Sequence, residues 1–202
     1  MAFHAATTPF IGRQRLQWGA STAEAVAELP GDDLVPRPKW AYTYGVTIAA
    51  PIDGVWPWIA QIGQGRAGFY SYETLENLLG CEIVNATEIL AEHQHPAVGD
   101  AIYLHPESPP LVVAHVDPPY ALVLHGRPTP EASSVGDGSS TWQFCLFERD
   151  DGAVRLLVRG RSHHGPGWAN RLAFGRFPME PISYVMNRRM MLEIKRLAER
   201  GR

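Results

Sequence analysis

Arg155, Arg159 and Arg161 fall on one face of the strand-like run Val154 to Arg161, while Val154, Leu156 and Val158 fall on the other. A guanidinium in an apolar interior is costly unless it meets a carboxylate or phosphate, so Arg159 is a candidate anchor for an acidic ligand group. The competing reading is a solvated outer face paired with Glu148 on the neighbouring strand. Trp142, Phe144 and Leu146 form the matching apolar face next door, as core or as cavity wall. Tyr184, Met186 and Met190 near the C-terminus carry the same two readings, since methionines fill irregular core space and also line adaptable apolar pockets.

A second pattern is Gly63-Gln64-Gly65-Arg66-Ala67-Gly68. Glycines at this spacing cradle a pyrophosphate when they follow a strand and open a helix. Here Val55, Trp58, Ile59 and Ile62 precede them at i, i+3, i+4 and i+7, the spacing of a buried helix face. The glycines therefore join helix to helix, and a plain turn outranks a phosphate cradle. Glu88 stands twenty residues after Gly68, where a ribose-binding acid would stand, but no βαβ unit surrounds it. A nucleotide-dependent oxidoreductase is a minor reading.

The histidines do not assemble a metal site. His93 and His95 would share a face in a strand, yet Glu92 points the other way, Pro96 breaks the segment and no third ligand follows. His163 and His164 precede a Gly-Pro-Gly turn and read as exposed. A short hairpin through Pro118-Pro119 sets His115 opposite Leu122 and His125 opposite Val112, on opposite faces. No Gly-x-Ser-x-Gly elbow, Cys/His pair or carboxylate pair of fixed separation is legible. No metal and no cofactor are expected.

The elements that position these residues follow from periodicity. Residues 1–40 read as an N-terminal extension, with Pro30, Pro36 and Pro38 and one helical piece, Thr22 to Leu29, capped by Ser21. Residues 41–202 read as one domain. The alternation Tyr42, Tyr44, Val46, Ile48 predicts a strand; Pro51 and Asp53 suit the first turn of a helix, kinked or delayed by Pro57. A second short helix, Tyr72 to Leu79, is expected to take Ser71 as N-cap, turn Leu75, Leu78 and Leu79 inward and stop at Gly80. Strands are then predicted over Ala101 to Leu104, Leu111 to Val116, Tyr120 to His125, Thr141 to Glu148 and Val154 to Arg161, with Glu82 to Ile89 a weaker candidate. Gly126 to Ser140 reads as a loop. Ile182, Val185, Met186, Met190, Ile194 and Leu197 then predict a long amphipathic helix.

With 202 residues and 45% hydrophobic content the chain can bury a core without disulfides or metal. A net charge of −3 and dispersed basic residues give no footprint for nucleic acid. Two cysteines suit a reducing compartment. No stretch approaches the ~20 apolar residues of a spanning helix, and a cytoplasmic protein is expected.

Strand, two short helices, antiparallel strands and a final long helix make an α+β plan that resembles the helix-grip fold of the START-like, or SRPBCC, superfamily. Ala50-Pro51 to Trp56, Gln61 to Tyr70, Trp142 to Leu146 and Arg155 to Arg161 are similar to stretches of bacterial members. The resemblance implies a curved sheet around the last helix and an internal cavity for a hydrophobic or aromatic small molecule, lipid or polyketide-like. Trp142, Phe144, Arg159, Tyr70, Tyr184, Met186 and Met190 are the candidate lining. It also allows an aromatase/cyclase- or dehydratase-type enzyme using that cavity, with Arg159 or Tyr70 orienting substrate, or a co-chaperone-like interaction module. A homodimer is one assembly this plan allows.

Overall fold

Alternating apolar residues make the sheet, and a helix covers one side of it. The computed structural model describes residues 15–78, 80–127, 138–168, 170–171 and 175–200. In chain order these form α1 (Thr22–Val26), β1 (Trp40–Ile48), α2 (Ile52–Ala60), α3 (Glu73–Leu78), β2 (Ala101–Ile102), β3 (Leu111–Asp117), β4 (Ala121–Gly126), β5 (Gly138–Glu148), β6 (Val154–His164) and α4 (Arg176–Glu199). The six strands form one antiparallel sheet in the order β1-β6-β5-β4-β3-β2. The architecture is the α+β helix-grip fold, a curved sheet with the long α4 packed on it.

Register decides which side chains share a face. Tyr42 stands opposite Gly160, which stands opposite Trp142; Tyr44 stands opposite Val158, and Val158 opposite Phe144. Directly paired residues lie on the same face. Tyr42, Tyr44, Trp142, Phe144, Leu146, Leu156 and Val158 thus form the inner face, and Met190, Met191, Ile194 and Leu197 of α4 join them in one core. Thr43, Gln143, Cys145, Arg155, Leu157, Arg159 and Arg161 form the outer face by the same alternation.

The N-terminal segment covers that outer face. Trp18 O accepts a hydrogen bond from Gly45 N on edge strand β1, and Leu29 packs with Cys145 and Leu157 in a second, small apolar cluster. The capping box of α1 is complete: Ser21 Oγ accepts from Glu24 N, and Glu24 Oε2 accepts from Ser21 N.

Several expectations need correction. Glu82 to Ile89 is not a strand, because side chains take its backbone groups: Asn77 serves both the N–H and the carbonyl of Ile83, and Glu73 Oε1 accepts from Asn85 N. Ser71 does not cap α3; its hydroxyl donates to Met186 O at 3.3 Å. Leu75 and Leu78 point outward, with exposures of 50% and 82%, and Glu76 points inward. On α4 the expected apolar face holds from Met190 onward, but Ile182 and Val185 are exposed while Glu180 and Asn187 are buried. A bulge between Val113 and His115 sets His115 opposite Val123 rather than Leu122, which returns it to the face of His125. Leu79 and most of the Gly126 to Ser140 stretch, residues 128–137, lie outside the described residues.

Candidate functional site

The structure brings most of the singled-out residues to the inner face and sets Arg159 on the opposite one. Arg159 is 2% exposed and its donors are fully engaged: Nη1 meets Asp32 Oδ2 at 2.6 Å and Ala27 O, Nη2 meets Glu24 O and Ala25 O, and Nε meets Thr43 Oγ1. Arg155 pairs with Glu24 at 2.7 Å, and Arg161 pairs with Asp32 at 3.3 Å. The arginine face is neither a cavity wall nor a solvated face matched with Glu148. It is the seat of the N-terminal segment, and Glu148 stands opposite Val154.

On the inner face an aromatic wall joins β5 to the glycine loop. The Trp142 ring lies 4.8 Å from Phe144 and 6.2 Å from Phe69, centroid to centroid. Trp142 is half-buried while Phe144 is fully buried, so the wall is reachable at its Trp142 end. The wall has one polar fixture that periodicity did not single out. Asn187 of α4 accepts from Trp142 Nε1 at 3.0 Å and donates from Nδ2 to Tyr42 Oη at 3.3 Å and to Ser183 O at 2.8 Å. A buried amide with every bond made holds the indole and phenol rings in place. Its signal in the sequence was a polar residue three and seven positions before Met190 and Ile194, inside the buried stripe.

Met186 belongs to this region, since Ser71 Oγ reaches both its carbonyl and its sulfur, the latter at 3.4 Å. Met190 is buried in the core beneath it. Tyr184 lies farther along the face, edge-on to Tyr44 at 6.1 Å. Tyr70 is fully buried, edge-on to Trp58 at 6.0 Å, with its oxygen accepting from Gln61 Nε2 at 2.8 Å. Burial holds the Tyr42, Tyr44 and Tyr70 hydroxyls well above the usual phenol range, so all three stay protonated.

The glycine loop is built to hold itself. Gly63 and Gly68 exchange backbone hydrogen bonds, and Gly63, Gly65 and Gly68 all have positive φ, which side chains resist. Arg66 Nη2 donates to the carbonyls of Ala60 and His93, so this cation pins the following segment rather than waiting for phosphate. Gln61 completes the pin: its Oε1 accepts from Leu90 N and Gln94 Nε2.

Two other groupings fail on chemistry. His125 Nε2 lies 2.8 Å from Ser139 Oγ, but Arg127 Nε donates to Nδ1, which assigns the ring hydrogen to Nε2. That nitrogen has no lone pair to take a proton from Ser139. Burial first, then Arg127, lowers the His125 pKa and keeps the ring neutral. Cys145 lies under the N-terminal segment, where burial pushes its thiol up to about 12, far from a nucleophile's range. No group of three or more His, Cys, Asp or Glu fit to hold a metal occurs among the described residues. None of their helices is long and apolar enough to cross a membrane. A depression of about 320 Å³ at the β5–β6 turn is lined by Glu148, Arg149, Asp150 and Asp151 and offers no apolar wall.

No family model and no curated protein matches the chain. Solved structures do. Protein MLL2253 from Mesorhizobium loti is similar over 81% of this chain and 99% of its own, with 17% identity and a TM-score of 0.46. DynU16, described as a putative protein in the dynemicin biosynthetic locus, is 15% identical with a TM-score of 0.44 over 82% of this chain and 49% of its own. The Aha1 dimer from Colwellia psychrerythraea is 8% identical with a TM-score of 0.37 over 72% of this chain and 93% of its own.

Proposed function

We propose that this chain is a START-like protein that binds a hydrophobic or aromatic small molecule, lipid or polyketide-like, against the inner face of its sheet. The observation that carries the reading is the Phe69–Trp142–Phe144 wall, reachable at Trp142 and fixed by Asn187. Aromatic faces give a guest large contact area with few rotors to freeze, and Met186 beside Ser71 supplies an adaptable border. Trp142, Phe144, Met186 and Met190 are its proposed lining, with Tyr184 and Tyr70 flanking it. An enzyme of the cyclase or dehydratase kind would use the same wall, and its orienting group would be a protonated hydroxyl such as Tyr70 rather than Arg159, whose donors all face the other way.

A ligand that binds only the folded chain raises its melting temperature by mass action, about 2.7 kcal/mol of stabilisation at a hundredfold excess over Kd. A panel of fatty acids, sterols and polycyclic phenols is expected to contain molecules that shift the wild type and fail to shift Trp142→Ala. A flat response across the panel, with only the bare mass in native mass spectrometry of protein from its own host, would overturn the reading.

A further inference from the structure

Helix α3 is inverted. Its leucines face solvent, Leu75 at 50% and Leu78 at 82% exposure, while Glu76 is buried at 7%. The helix is not loosely placed: Asn77 holds Ile83 by two hydrogen bonds, Glu73 holds Asn85 N, and Ser71 at its entrance holds α4. Buried carboxyl oxygens nearly always have a partner, yet Glu76 Oε2 is buried with none among the described residues. A local rule broken in a firmly held element is what a functional position looks like.

The groups acting on Glu76 tell which form is stable there. Burial is the larger cause and pushes the Glu76 carboxyl up to about 7, and Glu73, a like charge on the same helix, adds to it. A carboxylic acid kept neutral in an apolar setting is a hydrogen-bond donor. What it lacks, among the described residues, is an acceptor. Tyr72, one helical turn before Glu76, lies with its ring 5.9 Å from the Arg189 guanidinium of α4, and Ser71 beside it reaches Met186, so the helix borders the proposed ligand wall.

We propose that Glu76 is the polar anchor of the ligand site, donating a hydrogen bond from its protonated carboxyl to a carbonyl or hydroxyl oxygen of an otherwise apolar ligand. This rests on the ligand-binding reading above. It narrows the guest to a neutral oxygenated molecule, and it disfavours an amine, which would need the carboxylate.

The probe for the test is prodan, a neutral naphthyl ketone whose emission reports hydrogen bonding at its carbonyl. Wild-type protein is expected to bind it roughly tenfold more weakly at about pH 8.5 than at about pH 6, because the donor is lost as Glu76 ionises. Glu76→Gln keeps a donor, so it should bind within about twofold of the wild type at pH 6 and lose the pH dependence, whereas Glu76→Ala should lose about tenfold. Equal binding by all three at every pH would overturn the anchor and leave the ligand-binding reading standing; no prodan binding by the wild type would overturn the anchor, while the ligand-binding reading falls only with the flat panel and the bare mass described above. A cationic probe, dansylcadaverine, that binds more tightly as pH rises and is lost in Glu76→Gln would replace the donor assignment with a carboxylate–amine pair. Independently of any ligand, the infrared difference between wild type and Glu76→Gln should show a protonated carboxyl band at about pH 6 that disappears at about pH 8.5. No band at pH 6 would end the proposal.

Discussion

At the scale of single residues, two buried polar side chains carry different duties on the two faces of the sheet. Arg159 joins sheet to N-terminal segment through an ion pair with Asp32 and three further hydrogen bonds to the carbonyls of Glu24, Ala25 and Ala27, while Thr43 Oγ1 of β1 accepts from its Nε. Removing one member of a buried pair usually costs about 3–5 kcal/mol. Arg161 still holds Asp32, so Arg159→Ala is expected near the lower end, read as a shift of the denaturant midpoint with unchanged slope. Lysine will not rescue it, because an ammonium cannot reach this planar set of acceptors. Equal midpoints for wild type and Arg159→Ala would refute the clamp. On the inner face Tyr42 lies flat on Gly160, where an added Cβ would meet ring atoms at 2.3–2.6 Å. Gly160→Ala should therefore cost about 1–3 kcal/mol by overpacking. It should also weaken binding at the wall, since a displaced Tyr42 pulls on Asn187; a variant as stable and as ligand-competent as the wild type would show that the ring is free to move.

At the scale of elements, α1 and α3 give stability opposite dependences on pH. Hydrogen bonds from Arg155, with help from Ser21, hold the Glu24 carboxyl of α1 down to about 2 against an unperturbed 4.5. Between those values the unfolded chain binds the extra proton, so stability is present above about pH 4.5 and is lost as pH falls toward 2. Glu76 of α3 has its folded value raised from 4.5 to about 7, so the folded chain keeps the proton longer, and its share of stability is full below about pH 4.5 and lost as pH rises through 7. A maximum near pH 4.5–5 is expected, with each limb worth about 1–3 kcal/mol after allowance for solvent screening. Glu24→Gln should flatten the acid limb and Glu76→Gln the neutral one; urea unfolding at a series of pH values checks both, and unchanged limbs would reject the assignments. These elements also show what the sequence could reveal. The strands, the helix-to-helix glycine loop and the buried stripe from Met190 onward were legible because each is a local period. The inversion of α3 was not, since six residues are too few to define a face against tertiary packing. Nor was the arginine seat, whose partners Arg159 and Asp32 are 127 positions apart. The Val113/His115 bulge moved His115 to the other face without any glycine to announce it.

At the scale of the molecule, the N-terminal segment acts as a third layer rather than a dispensable leader. It donates the carbonyls and acids that neutralise Arg155, Arg159 and Arg161, supplies Leu29 to the Cys145–Leu157 cluster, and covers edge strand β1 through the Trp18–Gly45 hydrogen bond. Trp18 also packs edge-on against Tyr44 at 6.5 Å and receives the Arg188 guanidinium of α4 at 5.3 Å, so the segment reaches both faces of the fold. A chain that starts at Lys39 would keep all six strands and α4 yet expose three unpaired arginines and an open sheet edge, a route to edge-to-edge association. Its loss of one buried ion pair, one buried leucine and several carbonyl partners amounts to about 4–6 kcal/mol. For a chain of this size that lowers Tm by roughly 10–20 °C. Light scattering and calorimetry read the outcome, and a peptide of residues 15–38 added in trans should recover part of the lost Tm for the truncated chain but not for its Arg159→Ala form. A truncated protein that stays monomeric and melts within a few degrees of the full chain would show that residues 41–202 stand alone and that the clamp contributes nothing to the fold.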